Sequence, residues 1–176
     1  SSSGFEPAEV LTQISELAHK LQQRHSALFI NEIEPALYEA RINITTWDKL
    51  EPTEQEQLTD YYRKQIFPVL TPLAVDPSHP FPYISNLALN LAVTVRDTDT
   101  GDQRFARVKV PRNFPRFIPV PDSDDFILLE DLIEAHLDRL FPGMEIVSTS
   151  RFRVTRNADL SLDDEDAEDL LAVHVL

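Results

Sequence analysis

Apolar residues in the opening stretch recur at three- and four-residue intervals. Val10, Ile14, Leu17, Leu21 and Leu28 form one stripe with Leu11, Ala18 and Phe29 beside it, while Lys20, Gln22, Gln23 and Arg24 fill a polar side. The spacing predicts a helix from Pro7 to Glu34, about 40 Å long at ~1.5 Å per residue. Such an arm needs a cover for its stripe, either the helix that follows Thr53 or a second copy of the chain. Pro35 then kinks the helix or opens a short second one through Ala40, because proline lacks a donor and crowds the preceding turn. Arg41 to Thr46 reads as a brief strand or extended link. Thr53 followed by Glu56 has the form of a capping box, and Leu58, Tyr61, Tyr62, Gln65 and Ile66 carry a helix that Pro68 ends.

From Phe67 the pattern changes. Pro68, Pro72, Pro77, Pro80 and Pro82 exclude a regular helix or central strand and leave a stiff, extended segment. At Leu87 a strict alternation begins: Leu87, Leu89, Leu91, Val93 and Val95 on one face, Ala88, Asn90, Ala92 and Thr94 on the other. Asp97 to Asp102 is a polar turn in which Gly101 can take positive φ. Ala106, Val108 and Val110 then alternate with Phe105, Arg107 and Lys109, which predicts a β-hairpin. Its apolar faces coincide only if paired residue numbers sum to an odd value, most simply Val95 with Ala106, Val93 with Val108 and Leu91 with Val110. Thr94 then faces Arg107 and Ala92 faces Lys109, and a one-residue slip would turn both cations inward. Asn113 to Asp125 reads as a proline-rich loop, Phe126 to Leu129 as a strand and Glu130 to Leu140 as a helix. Pro142-Gly143 is a turn. Ile146 to Val154 is a strand with Arg151 and Arg153 on one face and Phe152 and Val154 on the other. Asp163 to Ala172 begins as an acid-rich helix. The class is α+β: a long helical arm followed by an antiparallel sheet with packed helices.

A chain of 176 residues with 42% hydrophobic and 26% charged residues can bury a real core. Its formal charge of −14 argues against nucleic acid as a partner. No apolar run is long enough to span a bilayer, and the absence of cysteine fits a reducing compartment, so the expected location is the cytoplasm. The three glycines, Gly4, Gly101 and Gly143, stand far apart, which rules out a glycine-rich phosphate loop of either common kind. His19 and His25 fall on different helix faces and make no metal pair. His79, beside Asp76 and Ser78, reads as structural rather than as part of a triad, and His136 as solvated. No catalytic and no metal-ligating residue is assigned. Phe81, Tyr83, Phe114 and Phe117 lie among prolines and read as core.

The run Ile66-Phe67-Pro68-Val69-Leu70-Thr71-Pro72-Leu73-Ala74-Val75-Asp76-Pro77-Ser78-His79-Pro80-Phe81-Pro82-Tyr83-Ile84-Ser85-Asn86-Leu87 resembles the signature of the polyphosphate kinase family. Its members transfer the terminal phosphate of ATP to a growing polyphosphate chain. Further blocks in the same order are similar to the family: Phe105-Ala106-Arg107-Val108-Lys109-Val110-Pro111, Leu140-Phe141-Pro142-Gly143-Met144 and Phe152-Arg153-Val154-Thr155-Arg156-Asn157-Ala158-Asp159. The resemblance implies, for the parent enzyme, reversible transfer through a phosphohistidine, use of Mg2+ and ATP, homo-oligomeric assembly and, left open, peripheral membrane association. The phosphohistidine and the nucleotide and magnesium ligands lie outside the blocks matched. The resemblance therefore implies a front, non-catalytic segment joined to the remainder of the kinase chain, with residues 1–66 as a helical region and 67–176 as an α+β head. The segment alone is expected to bind neither ATP nor Mg2+.

Basic residues are unevenly placed. From Asp102 to Pro121 five of them (Arg104, Arg107, Lys109, Arg112, Arg116) stand against one acid. One reading makes them solvated sheet faces whose aliphatic stems cover apolar surface. The other makes Arg107, Lys109, Arg151 and Arg153 one cationic strip that contacts polyphosphate, since guanidinium forks suit phosphate oxygens. An alternative for the whole chain is a free-standing protein-interaction module of the same fold.

Overall fold

The computed structural model of the chain describes residues 6–75 and 83–155. The readings of His79 and Phe81 and of the helix from Asp163 to Ala172 lie outside the described residues. The chain divides into two compact units, Ser1–Asn43 and Ile44–Leu176. Residues 44–66, grouped by sequence with the helical arm, thus fold with the sheet.

The first unit is helical. Helix α1 (Pro7–Leu28) runs into a wide, π-type turn at Phe29–Ile33 and then into α2 (Glu34–Glu39). The wide turn ends just before Pro35. Proline cannot donate to the carbonyl four residues back and its ring crowds that oxygen, so an extra residue in the turn relieves the clash without stopping the helix. A left-handed Arg41 (φ 59°) ends α2, with Arg41 N–H donating to the Tyr38 carbonyl and Ile42 N–H to the Leu37 carbonyl. That is a Schellman closure with arginine where glycine is usual. Helix α1 buries none of its residues: Ile14, Leu17 and Leu21 are 57%, 60% and 64% exposed. Within its own unit, nothing among the described residues covers the stripe.

Strand β1 (Asn43–Thr45) straddles the boundary, and α3 (Pro52–Tyr61) is the first helix of the second unit. The N-cap lies earlier than Thr53: the Glu54 carboxylate accepts the Glu51 N–H at 2.8 Å, and Pro52 takes the first helical position, where a missing donor costs nothing. A second π-type turn, Tyr62–Ile66, again ends just before a proline, Pro68. Strands β2 (Leu73–Val75), β3 (Asn90–Asp97), β4 (Gln103–Lys109) and β7 (Met144–Phe152) form an antiparallel sheet in the order β2-β4-β3-β7. Strands β5 (Phe117–Pro119) and β6 (Asp125–Leu128) pair with each other, and β1 flanks β6. The stretch expected to be only a loop thus contains a strand, because Phe117, Ile118 and Pro119 find Leu128, Ile127 and Phe126 opposite. The expected helix from Glu130 to Leu140 is two pieces, α4 (Leu129–Glu134) and α5 (Leu137–Leu140), broken at Ala135-His136.

One face of the four-stranded sheet supplies Leu91, Val93, Val95, Val108 and Val110 to the core. Against it pack Leu58, Tyr62 and Ile66 from the α3 region, Leu129, Leu132 and Ile133 of α4, Leu137 of α5, and Ile118 and Ile127 from the small sheet. Burying each such side chain contributes about 2 kcal/mol. Strand β3 begins at Asn90, and the residue that opened the alternation, Leu87, sits in a turn at φ 59° and half exposed. The hairpin pairs Val93 with Ala106 and Leu91 with Val108, two residues away from the simplest expected register. Parity is as expected, but Ala92 faces Arg107 and Thr94 faces Phe105.

Candidate functional site

Residues paired across an antiparallel ladder share a face. Leu91, Val108 and Arg151 therefore lie on the core side, whereas Ala92, Arg107 and Ser150 lie on the other, with Asn90, Lys109 and Phe152. The four cations do not form one strip. Arg107 and Lys109 share a face, and Arg151 is on the opposite one. The cause is a bulge in β7: Thr94 pairs with Ser148 but Val95 pairs with Ile146, which leaves Val147 as an extra residue. Met144 and Ile146 face the core before the bulge, and Thr149 and Arg151 share that side after it. Plain alternation from Ile146 would have sent Arg151 outward.

Arg151 is held by α4. Its guanidinium pairs with Asp131 and, at 2.7 Å, with Glu134, and Nε donates to Glu134 at 3.1 Å. Desolvation works against the Arg151 charge, but the hydrogen bonds to Glu134 and Asp131 outweigh it and hold the proton more tightly than usual. Desolvation likewise raises the Asp131 pKa, with Arg151 opposing it. Arg153 is exposed beyond the end of β7.

On the second face Arg107 is only 8% exposed. Nη1 donates to the Tyr83 carbonyl at 3.2 Å, and Nε is enclosed without a partner. Burial pulls the guanidinium below its ordinary pKa. Opposite Lys109, which is exposed, Asn90 is fully buried. Its Nδ2 donates to the Ala88 carbonyl at 2.8 Å, while Oδ1 has no partner. Arg112 donates to the Asn86 carbonyl at 3.1 Å, so the backbone from Tyr83 to Ala88 lies against this end of the sheet. Asn90 is the polar residue that pattern reading placed on the small face without assigning it a role.

A second polar cluster lies inside the core, and it corrects the reading of His136 as solvated. Its Nδ1 is 2.9 Å from the Leu132 carbonyl and its Nε2 is 2.9 Å from the Thr59 hydroxyl. A carbonyl only accepts, so Nδ1 carries the proton; in the neutral ring Nε2 accepts from Thr59. Tyr62 stacks on the imidazole at 4.4 Å and Trp47 meets it edge-on at 4.8 Å. Desolvation lowers the His136 pKa. This is a clamp between α3 and the break separating α4 from α5. Of the aromatic residues expected in the core, Phe114 packs against it, but Phe117 and Tyr83 are 49% and 65% exposed. Among the described residues no group of three or more His, Asp or Glu side chains is placed to hold a metal ion.

An antiparallel α+β unit with helices on one face and a cation-bearing second face matches a known module. The family model described as the polyphosphate kinase middle domain covers residues 53–174. Over 97% of its length the chain is 48% identical to polyphosphate kinase of Mycolicibacterium gilvum and 50% identical to that of Streptomyces coelicolor. These alignments take up 24% and 23% of the relatives, so the chain spans about a quarter of their length. The crystal structure of polyphosphate kinase from Porphyromonas gingivalis superposes with a TM-score of 0.79 and 30% identity, over 88% of this chain and 25% of that one. The chain belongs to the polyphosphate kinase family. No helix among the described residues is long and apolar enough to cross a membrane.

Proposed function

We propose that this chain is the front, non-catalytic segment of a polyphosphate kinase that moves the terminal phosphate of ATP to polyphosphate through a phosphohistidine outside it. ATP and Mg2+ are held by the remainder of the enzyme. The segment acts as scaffold: its sheet-and-helix unit is a rigid body on which other parts dock, and its helical arm contacts another subunit. The observation that carries this reading is the match to a quarter of the relatives' length at 48% identity. A sequence whose three glycines are dispersed, with no phosphate-cradling loop, agrees with it. The exposed stripe of α1 supports the subunit contact, since a contiguous apolar surface on a helix this long marks a place of association. The test of catalysis is incubation of the pure chain with labelled ATP, Mg2+ and a polyphosphate primer. No label is expected in polymer, and label incorporated there would overturn the assignment.

A further inference from the structure

The sheet face turned away from the helices has an unusual charge balance for an acidic protein. Its strands carry Arg96, Arg107 and Lys109 against one carboxylate, Glu145, which Arg96 already holds at 2.8 Å. Arg107 stands out from the other enclosed charges. Buried Glu130 is paired with Arg116, and Arg151 has two carboxylates. Arg107, although nine-tenths enclosed, has one backbone carbonyl for Nη1, nothing for Nε and no carboxylate among the described residues within ion-pair distance. An enclosed guanidinium without a counter-charge is costly, and an anion offering several oxygens is what relieves it. Lys109 projects from the same face two residues along β4, about 7 Å away. Between and beyond the two cations the face carries small side chains, Ala92, Thr94, Ser148 and Ser150. They form a lane along β3 and β7 beside the cations, bordered by Phe105 and Phe152 and by Leu73 and Val75 of β2, along which an extended anion can lie.

We propose that this face is a polyanion track, with Arg107 as the fixed anchor and Lys109 as the mobile second contact, and that its ligand is the phosphate oxygens of a polyphosphate chain. The identity of the polyanion rests on the preceding reading, whereas the placement of the cations does not. Arg151 takes no part, because α4 holds it on the other side. The whole chain is titrated with polyphosphate at low and moderate salt, beside Lys109→Gln and a control, Arg104→Gln, whose exposed cation lies on the opposite face. Lys109→Gln is expected to weaken binding about fivefold at low salt and to flatten the salt dependence, and Arg104→Gln to do neither. Because Arg107 is enclosed and its replacement risks misfolding, it is followed in the unsubstituted chain by the nitrogen resonance of its Nε–H. That resonance is expected to move with polyphosphate and to stay in place with ATP or orthophosphate at equal phosphorus concentration. Equal affinity of Lys109→Gln and the unsubstituted chain would overturn the track. So would an equal loss in Arg104→Gln, or an Nε–H resonance that orthophosphate moves as far as polyphosphate does. Polymer synthesis by the pure chain would instead sink the non-catalytic reading and leave the track standing.

Discussion

At the scale of the residue, two buried polar groups set measurable limits on stability. His136 is neutral in the core, and desolvation holds its pKa below the ordinary 6.5. Well above pH 6.5 neither folded nor unfolded chain protonates it. As pH falls below that value the unfolded chain binds a proton that the folded one resists, so stability is lost until the folded pKa is reached. Urea midpoints should therefore drop between neutral and mildly acid pH, and His136→Gln should remove that part of the drop. An unchanged slope would mean that the ring is not enclosed. Glu130 is 1% exposed and its Oε1 accepts both Nε (at 2.9 Å) and Nη2 of half-exposed Arg116. Arg116→Leu leaves that carboxylate uncompensated, and about 2 kcal/mol of stability should go with it, a buried-pair penalty reduced because the arginine is partly solvated. A loss within measurement error would show that water already reaches Glu130.

At the scale of the element, ends and registers were decided by chemistry that periodicity does not carry. The helices, the hairpin and the long strand after Gly143 were legible because apolar spacing repeats over many residues. The hairpin's parity was legible too, since apolar faces must coincide, but its register was not. Asp97 decides it: the carboxylate accepts the N–H groups of Asp99 and Thr100, Gly101 takes φ 79°, and Asp97 N–H bonds to the Asp102 carbonyl. That closes a four-residue loop and shifts every pair by two relative to the simplest guess. The cationic strip failed for a similar reason, because one unpaired residue in β7 inverts the alternation on which it was built. The buried state of Arg107 and of His136 depends on segments distant in sequence, Tyr83 and Thr59, and no local pattern reports such contacts. At the end of α2 the left-handed Arg41 suggests a direct gain: Arg41→Gly should stabilise the first unit by about 0.5–1 kcal/mol, read as higher helicity at the thermal midpoint. Lower helicity would mean that the arginine side chain contributes more than its backbone costs.

At the scale of the whole molecule, the contrast between the two units matters most. The sheet unit encloses a continuous core, whereas α1 leaves Leu11, Ile14, Leu17 and Leu21 more than half exposed. A helix of 22 residues with no buried face is marginal in water. If a second copy covers it, mass in solution and helical ellipticity should fall together on dilution. Leu17→Glu with Leu21→Glu should abolish the larger species and leave the thermal transition of the sheet unit in place, since charges buried unpaired oppose association. A mass that neither dilution nor the double substitution changes would exclude self-association through α1.

The extra residue in β7 has one more consequence. This strand is nine residues long and, among the described residues, lies at the rim of its sheet, where one row of its main-chain donors and acceptors has no neighbouring strand. A straight rim of that length is a template on which foreign strands can polymerise. Val147 breaks the template in the middle: it twists the ladder and offers an incoming strand only short, mismatched runs. Deleting Val147 should straighten the rim, free Arg151 from Asp131 and Glu134, and make the variant scatter more light and bind more amyloid dye on standing than the unsubstituted chain. One residue outside the pairing thus acts as a guard against fibres, and a deletion variant that stays clear at high concentration would deny it that role.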